Sequence, residues 1–257
     1  MKDRARSAGD LRDLLQSLDE KIDTLSLTMR VAALGPDREF QFLFRDHLVK
    51  MFLPFSDVDF IQRYILLNHN FYEHKALLQA SKYIRRDAVV LDAGANIGNH
   101  TIFFSKICGV REVLSFEVMR ETFKLLEKNV RLNALTNVRL FNLGLGADAG
   151  RADLAHFGQG NIGSASIEAS DADGLYEMVT VDSLALERLD FMKIDVEGSH
   201  LKLLAGARGT IARCRPHIWV ELRSAKRERE PGERYLKELG YRIAQELTRN
   251  DFLFEPA

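Results

Sequence analysis

Three carboxylates and a lysine sit where two short apolar runs end. In Met192-Lys193-Ile194-Asp195-Val196-Glu197-Gly198, the residues Lys193, Asp195 and Glu197 share one parity, and Glu221 ends a later run expected near 217–222. If both runs are neighbouring strands, side chains of one parity leave the same face and the carboxylates converge. Such a group can move a proton, because like-charged neighbours leave one acid near neutral pKa. It can also hold a hard cation, magnesium or calcium, through Asp195, Glu197 and Glu221. Lys193 lies in an otherwise apolar strand, where an unpaired ammonium is expensive. Two readings are open for it: a structural ion pair with a nearby acid, or a desolvated base.

A second constellation lies upstream. Val89-Val90-Leu91-Asp92-Ala93-Gly94-Ala95-Asn96-Ile97-Gly98 reads as a buried strand breaking into a glycine turn, and Val113-Leu114-Ser115-Phe116-Glu117 as a second strand ending on an acid. The crevice beyond the carboxyl ends of parallel strands is where such sheets bind nucleotides, and Glu117 is placed to accept hydrogen bonds from ribose hydroxyls. The turn has neither the third glycine of a dinucleotide fingerprint nor the Gly-Lys-Ser/Thr of a phosphate loop. An acidic turn without a neighbouring cation suits a nucleoside with a cationic amino-acid end and no phosphate, which describes S-adenosylmethionine. His100, at the start of the following helix, is a further proton-transfer candidate by its ordinary pKa, against the plainer reading of a structural histidine.

Together, Leu91-Asp92-Ala93-Gly94-Ala95-Asn96-Ile97-Gly98-Asn99-His100-Thr101 and Asp190-Phe191-Met192-Lys193-Ile194-Asp195-Val196-Glu197-Gly198 resemble the FkbM family of S-adenosylmethionine-dependent methyltransferases. The resemblance covers roughly residues 70 to 225 with the motifs in order. It implies methyl transfer to a hydroxyl, in this family on sugars, polysaccharides or polyketide-like products. By motif position Asp92, Gly94, Asn96 and Gly98 would hold the donor's methionine end and Asn142 would lie near adenine. Tyr72-Glu73 resembles an aromatic-acid pair that closes over the donor in the family; a helix start with Glu in its first turn is the alternative. The candidate catalytic set is Lys193, Asp195, Glu197 and His100. No metal is assumed.

The elements that must position these residues follow from pattern. Strands near 88–93, 112–117, 138–143, 190–195 and 217–222 alternate with helices near 97–107, 119–133 and 199–213, which predicts an α/β doubly wound, mostly parallel seven-stranded sheet. Strands near 241–245 and 250–254 add a closing antiparallel hairpin. Leu11, Leu15, Leu18, Ile22, Leu25 and Met29 follow the heptad rhythm of an amphipathic helix that either pairs subunits into a homodimer through 11–29 or folds back on its own domain. The chain divides into that helix (1–34), a cap of short strands and a helix on the acceptor side (35–86), and a donor-binding catalytic domain (87–257). The polar loop Gly158 to Ser166 and the charged segment 223–233, expected to be an exposed connection, complete the outline.

Composition narrows the classes. With 257 residues, 46% of them hydrophobic, and Lys+Arg 36 against Asp+Glu 37, the chain can fill a large core and carries a net charge of -1. No basic field draws it to nucleic acid or an anionic membrane. Two cysteines make no disulfide framework, the first ten residues lack a signal-peptide core, and no apolar window reaches spanning length. The cytoplasm is the expected location. The leading expectation is an S-adenosylmethionine-dependent O-methyltransferase acting on a saccharide or glycosylated natural product. A methyltransferase acting on RNA or protein, a nicotinamide oxidoreductase, and a catalytically silent binding protein are the alternatives.

Overall fold

The computed structural model describes residues 2–156, 166–170, 174–223, 225 and 227–257. A long helix α1 (Lys2–Ala33) leads into a hairpin of β1 (Glu39–Phe44) and β2 (His47–Phe52), then α2 (Phe60–Asn68) and α3 (His74–Ala80). The central run is β3 (Val89–Ala93), α4 (Asn99–Ile102), β4 (Glu112–Phe116), α5 (Arg120–Leu132) and β5 (Val138–Phe141). Four short strands follow: β6 (Gly144–Leu145), β7 (Gly150–His156), β8 (Ser166–Ser170) and β9 (Tyr176–Val179). The chain then returns through β10 (Phe191–Ile194), α6 (His200–Gly206), α7 (Arg208–Cys214), β11 (His217–Glu221), α8 (Arg229–Glu238), β12 (Tyr241–Glu246) and β13 (Asp251–Pro256).

The main sheet has seven strands in the order β12-β13-β11-β10-β3-β4-β5. Its five middle-to-edge strands β11, β10, β3, β4 and β5 pair in parallel, and β13 joins antiparallel to both β11 and β12. This is the doubly wound, mostly parallel sheet with a final antiparallel hairpin that the strand and helix alternation predicts. Both faces are covered, which is why the strands read as continuous apolar runs. Val90, Val113, Phe191, Trp219 and Leu253 enter the core on one face. Leu91, Leu114, Met192, Ile218 and Phe252, of the opposite parity, enter the core on the other.

Three features depart from expectation. A separate four-stranded sheet, order β6-β9-β7-β8, fills the interval between β5 and β10; its strands are short and lack clean alternation. The helix expected over 199–213 is two helices, because Asp182 accepts hydrogen bonds from the amides of Gly209 (2.9 Å) and Thr210 (2.6 Å) and so caps α7 afresh. Gly206 ends the first of them against the Gly146 carbonyl oxygen, only 2.0 Å from where a Cβ would stand. The segment 223–233 is not simply an exposed connection: α8 begins within it and Arg223 turns inward. The expected acceptor-side loop, Gly158 to Ser166, lies outside the described residues except at Ser166.

The β1–β2 hairpin packs Phe42, Phe44, Val49 and Met51 into one core with Phe71 and Phe103. It is tied to α5 by amide side chains: Asn129 accepts from the Phe52 amide (2.5 Å) and Asn133 from the Lys50 amide (3.1 Å). Among the described residues, α1 meets the core near its carboxyl end through Leu27 and Val31, with Leu34 just beyond it. Along the rest of it Leu11, Leu15, Leu18, Ile22, Leu25 and Met29 are 45–64% exposed. The fold-back alternative therefore holds only for the last turns of α1. Among the described residues no helix is long and apolar enough to cross a membrane.

Candidate active site

The sheet register assembles the site in two rows at the carboxyl ends of the strands. In the first, Lys193 of β10 lies beside Asp92 of β3 and Trp219 of β11. In the second, one step further along, Glu221 of β11 faces Asp251 of β13, and Asp195 continues β10 next to it. Parity therefore places Asp92, Lys193, Trp219, Asp195 and Glu221 on one face, as alternation along the strands requires.

On the β3–β4 side, at the carboxyl ends of the strands, lies a cleft. Gly94, Glu117, Leu143, Asp195 and Glu197 are among its walls. Gly94 adopts φ +79°, and a Cβ there would stand 1.9 Å from the Asp195 carbonyl oxygen, so only glycine lets β3 and β10 close this tightly. Glu117 accepts from the Asn96 amide through Oε2 (2.9 Å) and from the Met119 amide through Oε1 (2.8 Å). Burial lifts its pKa to about 7 against those two hydrogen bonds. Asn96 holds the turn at φ 49°, and Gly98 at φ 92° starts α4. Asn142 donates to the carbonyls of Glu117 (2.8 Å) and Val118 (2.9 Å), so it braces the β4 exit and is not itself part of the cleft wall.

Asp92 is fully buried beneath the turn. Thr101 donates to its Oδ2 at 2.6 Å and lies 2.8 Å from the Ser115 hydroxyl, while Oδ1 has no hydrogen-bond partner among the described residues. A buried carboxylate oxygen left unpaired is costly, and the charge of Lys193, its neighbour in the β3–β10 register, offsets part of that cost. The cleft wall thus offers the Glu117 carboxylate beside the glycine turn, an arrangement that fits the ribose of an S-adenosylmethionine donor.

On the other side is a cluster of acids held by two cations. Lys193, 1% exposed, donates to Asp195 at 3.0 Å. Burial would lower its pKa, but the carboxylates of Asp195, Asp92 and Glu73 outweigh burial and hold it charged. Arg223 meets Glu197 in a two-pronged pair (2.5 and 2.7 Å) and donates its Nε to Glu221 at 2.9 Å. Glu221 is raised to about 8, by burial first and then by the charges of Asp195 and Asp251. Burial would raise Asp195 as well, yet Lys193 and a hydrogen bond with Glu221 hold it below the usual carboxylate range.

Tyr72-Glu73 reaches this cluster from before α3. Asn99 clamps it by accepting from the Tyr72 amide (2.9 Å) and donating to the Tyr72 carbonyl (3.1 Å). Glu73 is held at φ 56°, a left-handed conformation that a non-glycine residue keeps only where its surroundings impose it. Glu73 does stand at the start of a helix, as the cap residue of α3 whose carbonyl accepts from the Leu77 amide at 3.0 Å, but its side chain makes no cap hydrogen bond. Burial and then Asp195 lift its pKa to about 7. His100 Nε2 is 3.2 Å from the Glu73 carboxylate, outside hydrogen-bond geometry, and its ring meets Trp219 edge to face at 5.2 Å.

One expectation changes. His100 was singled out for an ordinary pKa, but burial and then the Lys193 charge push it down to about 3, leaving a neutral ring at physiological pH. Lys193 makes the ion pair that one of its two readings expected, with Asp195 at 3.0 Å. The metal option offered for Asp195, Glu197 and Glu221 gains no support: among the described residues no group of three or more His, Cys, Asp or Glu side chains is arranged to hold an ion. Lys193 and Arg223 already supply the positive charge there. Arg223 was missed, although Glu221-x-Arg223 repeats with reversed sign the Lys193-x-Asp195 spacing. Asp251, which accepts from Trp219 Nε1 at 2.8 Å, and Asn99 carried no signal of their own.

Residues 92–252 match the family model described as the methyltransferase FkbM domain. Methyltransferase sdnD of Sordaria araneosa is 28% identical over 155 residues, covering 46% of this chain and 59% of that protein. Methyltransferase 1 of Beauveria bassiana (strain ARSEF 2860) is 24% identical over 186 residues, covering 62% of this chain and 74% of that one. The crystal structure of methyltransferase FkbM from Methylobacillus flagellatus KT superposes with a TM-score of 0.53 at 20% identity, over 76% of this chain and 52% of that one, a likeness of fold. The chain thus spans less than two thirds of the first curated relative and of this solved structure. The match takes in more than half of the chain, with the glycine turn after β3, Glu117, Lys193, Asp195, Glu221 and Arg223 inside it, and the chain belongs to the FkbM methyltransferase family.

Proposed function

We propose that this chain is an S-adenosylmethionine-dependent O-methyltransferase whose acceptor is a hydroxyl of a saccharide or glycosylated natural product. The observation that carries the reading is the pairing of a cleft lined by Gly94 and Glu117 with an acid cluster on the other side of Asp195. When bound, the donor supplies an electrophilic methyl on a sulfonium. The protein's task is then to align a hydroxyl with that methyl and take its proton. Glu117 would hold the ribose; Asp92, Asn96 and Glu73 would orient the amino-acid end. Lys193 fixes Asp195, and Arg223 fixes Glu197 and Glu221, so that carboxylate oxygens face the acceptor.

Several buried acids against two cations suit an acceptor with hydroxyl donors and disfavour a phosphate backbone, which supports a small polyol over RNA. On this reading residues 87–257 are the catalytic domain and 35–86 is the cap on the acceptor side, from which Tyr72-Glu73 would close over the donor. The 1–34 helix pairs two copies of the chain through the heptad seam.

Calorimetry of S-adenosylmethionine binding tests the donor site, with wild type compared against Asp92→Ala and Glu117→Ala, with and without magnesium. Micromolar binding, lost in both variants and indifferent to magnesium, is the expected result. No binding by wild type would sink the proposal. Product analysis on sugar acceptors then tests the hydroxyl.

A further inference from the structure

The acid cluster has more carboxylates than charge to balance them. Around Glu221 stand Asp195 and Glu197 from the end of β10, Asp251 from β13, and Tyr72 and Glu73 from before α3. Facing these are two cations, Lys193 on β10 and Arg223 just past β11, and the neutral ring of His100 on α4. Arg223 is divided between Glu197 and Glu221, and Lys193 is given to Asp195. Glu221 is also set directly opposite Asp251 in the antiparallel register and, next along the same face after the Lys193–Trp219 pair, beside Asp195. Two carboxylates in that contact cannot both be ionised cheaply, and a proton between them is the usual remedy. A third cation would remove the need for it.

We propose that Asp195 and Glu221 share one proton in the donor-free protein, that the sulfonium of the methyl donor expels it, and that Glu221 is then the carboxylate that accepts the acceptor's hydroxyl proton. The inference rests on the methyltransferase reading above and adds to it the identity of the base and the event that arms it. Asp195 is suited to transmit the change because it lines the cleft and stands beside Glu221 on the same face of the sheet. During transfer the acceptor oxygen forms its bond to the methyl carbon as the carbon–sulfur bond breaks. The bonding pair returns to sulfur, giving the neutral thioether, and the hydroxyl proton passes to Glu221. Arg223 is a positioning residue: it aims the Glu221 carboxylate but does not meet the reacting atoms. Before the donor arrives, the protonated pair is a poor base, so the acceptor is not activated without a methyl to receive.

The test is proton counting by calorimetry at pH 7, with donor binding measured in two buffers of different ionisation enthalpy. S-adenosylmethionine should release about one proton per site, because a cation brought beside a protonated acid favours its ionised form. S-adenosylhomocysteine, of the same shape but without the sulfonium charge, should release markedly fewer, and any response of Glu117 to ribose cancels in the comparison. Glu221→Gln should bind the donor and lose the difference between the two ligands, whereas Glu73→Gln should keep it. Equal proton counts for the two ligands in wild type would overturn the proposal even if the variant failed to fold. A difference that survives in Glu221→Gln would overturn it as well. Absence of any binding would instead remove the donor-site reading on which it stands.

Discussion

Gly94 and Asp195 lie in such close contact that the carbonyl oxygen of one occupies the space a side chain on the other would need, 1.9 Å from an ideal Cβ. That contact joins the donor turn to the acid-bearing strand. Gly94→Ala therefore meets backbone, which cannot yield, and meets it at a φ of +79° that alanine resists. Donor binding should fall at least about 100-fold, a loss of roughly 3 kcal/mol, with the sheet's far edge intact. Calorimetry read beside far-ultraviolet circular dichroism checks this: near-normal affinity in a folded variant would mean that β3 and β10 are not locked as described.

The raised acids predict how stability depends on pH. Glu73 and Glu117 at about 7 and Glu221 at about 8 each bind a proton in the folded protein that the unfolded chain, with values near 4.5, has already lost. Stability from these groups is present at low pH and is lost as pH rises through their folded values. Buried His100, lowered from 6.5 to about 3, acts in the opposite sense below pH 6.5. The clean window is pH 6.5 to 8.5, where the donor-free protein should grow less stable as pH rises. Urea melts across that window check the sign, and a flat or rising trend would contradict the burial of these acids.

Arg223 holds two carboxylates at once, so its removal leaves both without their partner. Arg223→Met should destabilise by about 1.5–3 kcal/mol, in the range for hydrogen bonds to charged groups, and Arg223→Lys should recover only part because an ammonium cannot copy the two-pronged grip. If the residue acts by aiming Glu221, kcat falls more than KM rises and the acidic limb of the kcat profile moves. Denaturant melts and a pH–rate profile separate the two effects; a change in melts alone would make Arg223 purely structural.

The legible parts of this molecule were those written in local periodicity. The five parallel strands showed as apolar runs because each is buried on both faces, and Asp92, Gly94 and Glu117 showed because a turn and a strand end constrain residue type. Lys193 was conspicuous as a charge inside such a run, but its partner could be settled only by distance. Arg223 was obscured because its neighbours are charged and the segment reads as exposed; its inward turn depends on Glu197, a contact across 26 positions of chain. The change at His100 has the same origin. Its pKa depends on burial against Trp219 and on the charge of Lys193, both distant in sequence. The four-stranded sheet was unreadable because strands as short as β6 carry too few residues to show alternation.

The exposed seam of α1 yields a prediction about assembly. Apolar side chains at spacing four and three, half exposed over five turns, match the stripe that a second helix covers. Acids at positions 13, 19, 20 and 23 outnumber the basic residues between 11 and 29, which disfavours an anionic membrane as the covering surface. Ile22→Glu and Leu18→Glu should each convert a dimer to a monomer in sedimentation while leaving thermal unfolding of the rest unchanged, since neither side chain enters the core. A wild-type chain already monomeric at tens of micromolar would end the idea.

Asn129 ties together elements that the sequence does not connect. It is fully buried on α5, accepts from the Phe52 amide at 2.5 Å, and donates to the Ile97 carbonyl in the donor turn at 2.8 Å. One amide thus pins both the amino-terminal hairpin and the loop that carries Asn96 and Gly98. Asn129→Leu keeps the volume but strands a buried amide and a buried carbonyl, at about 1–3 kcal/mol for each group left unsatisfied. The expected result is a lower unfolding midpoint together with weaker donor binding, and faster amide exchange at both Phe52 and the turn. Exchange quickened at the hairpin alone would show that the turn is held by Glu117 and not by α5.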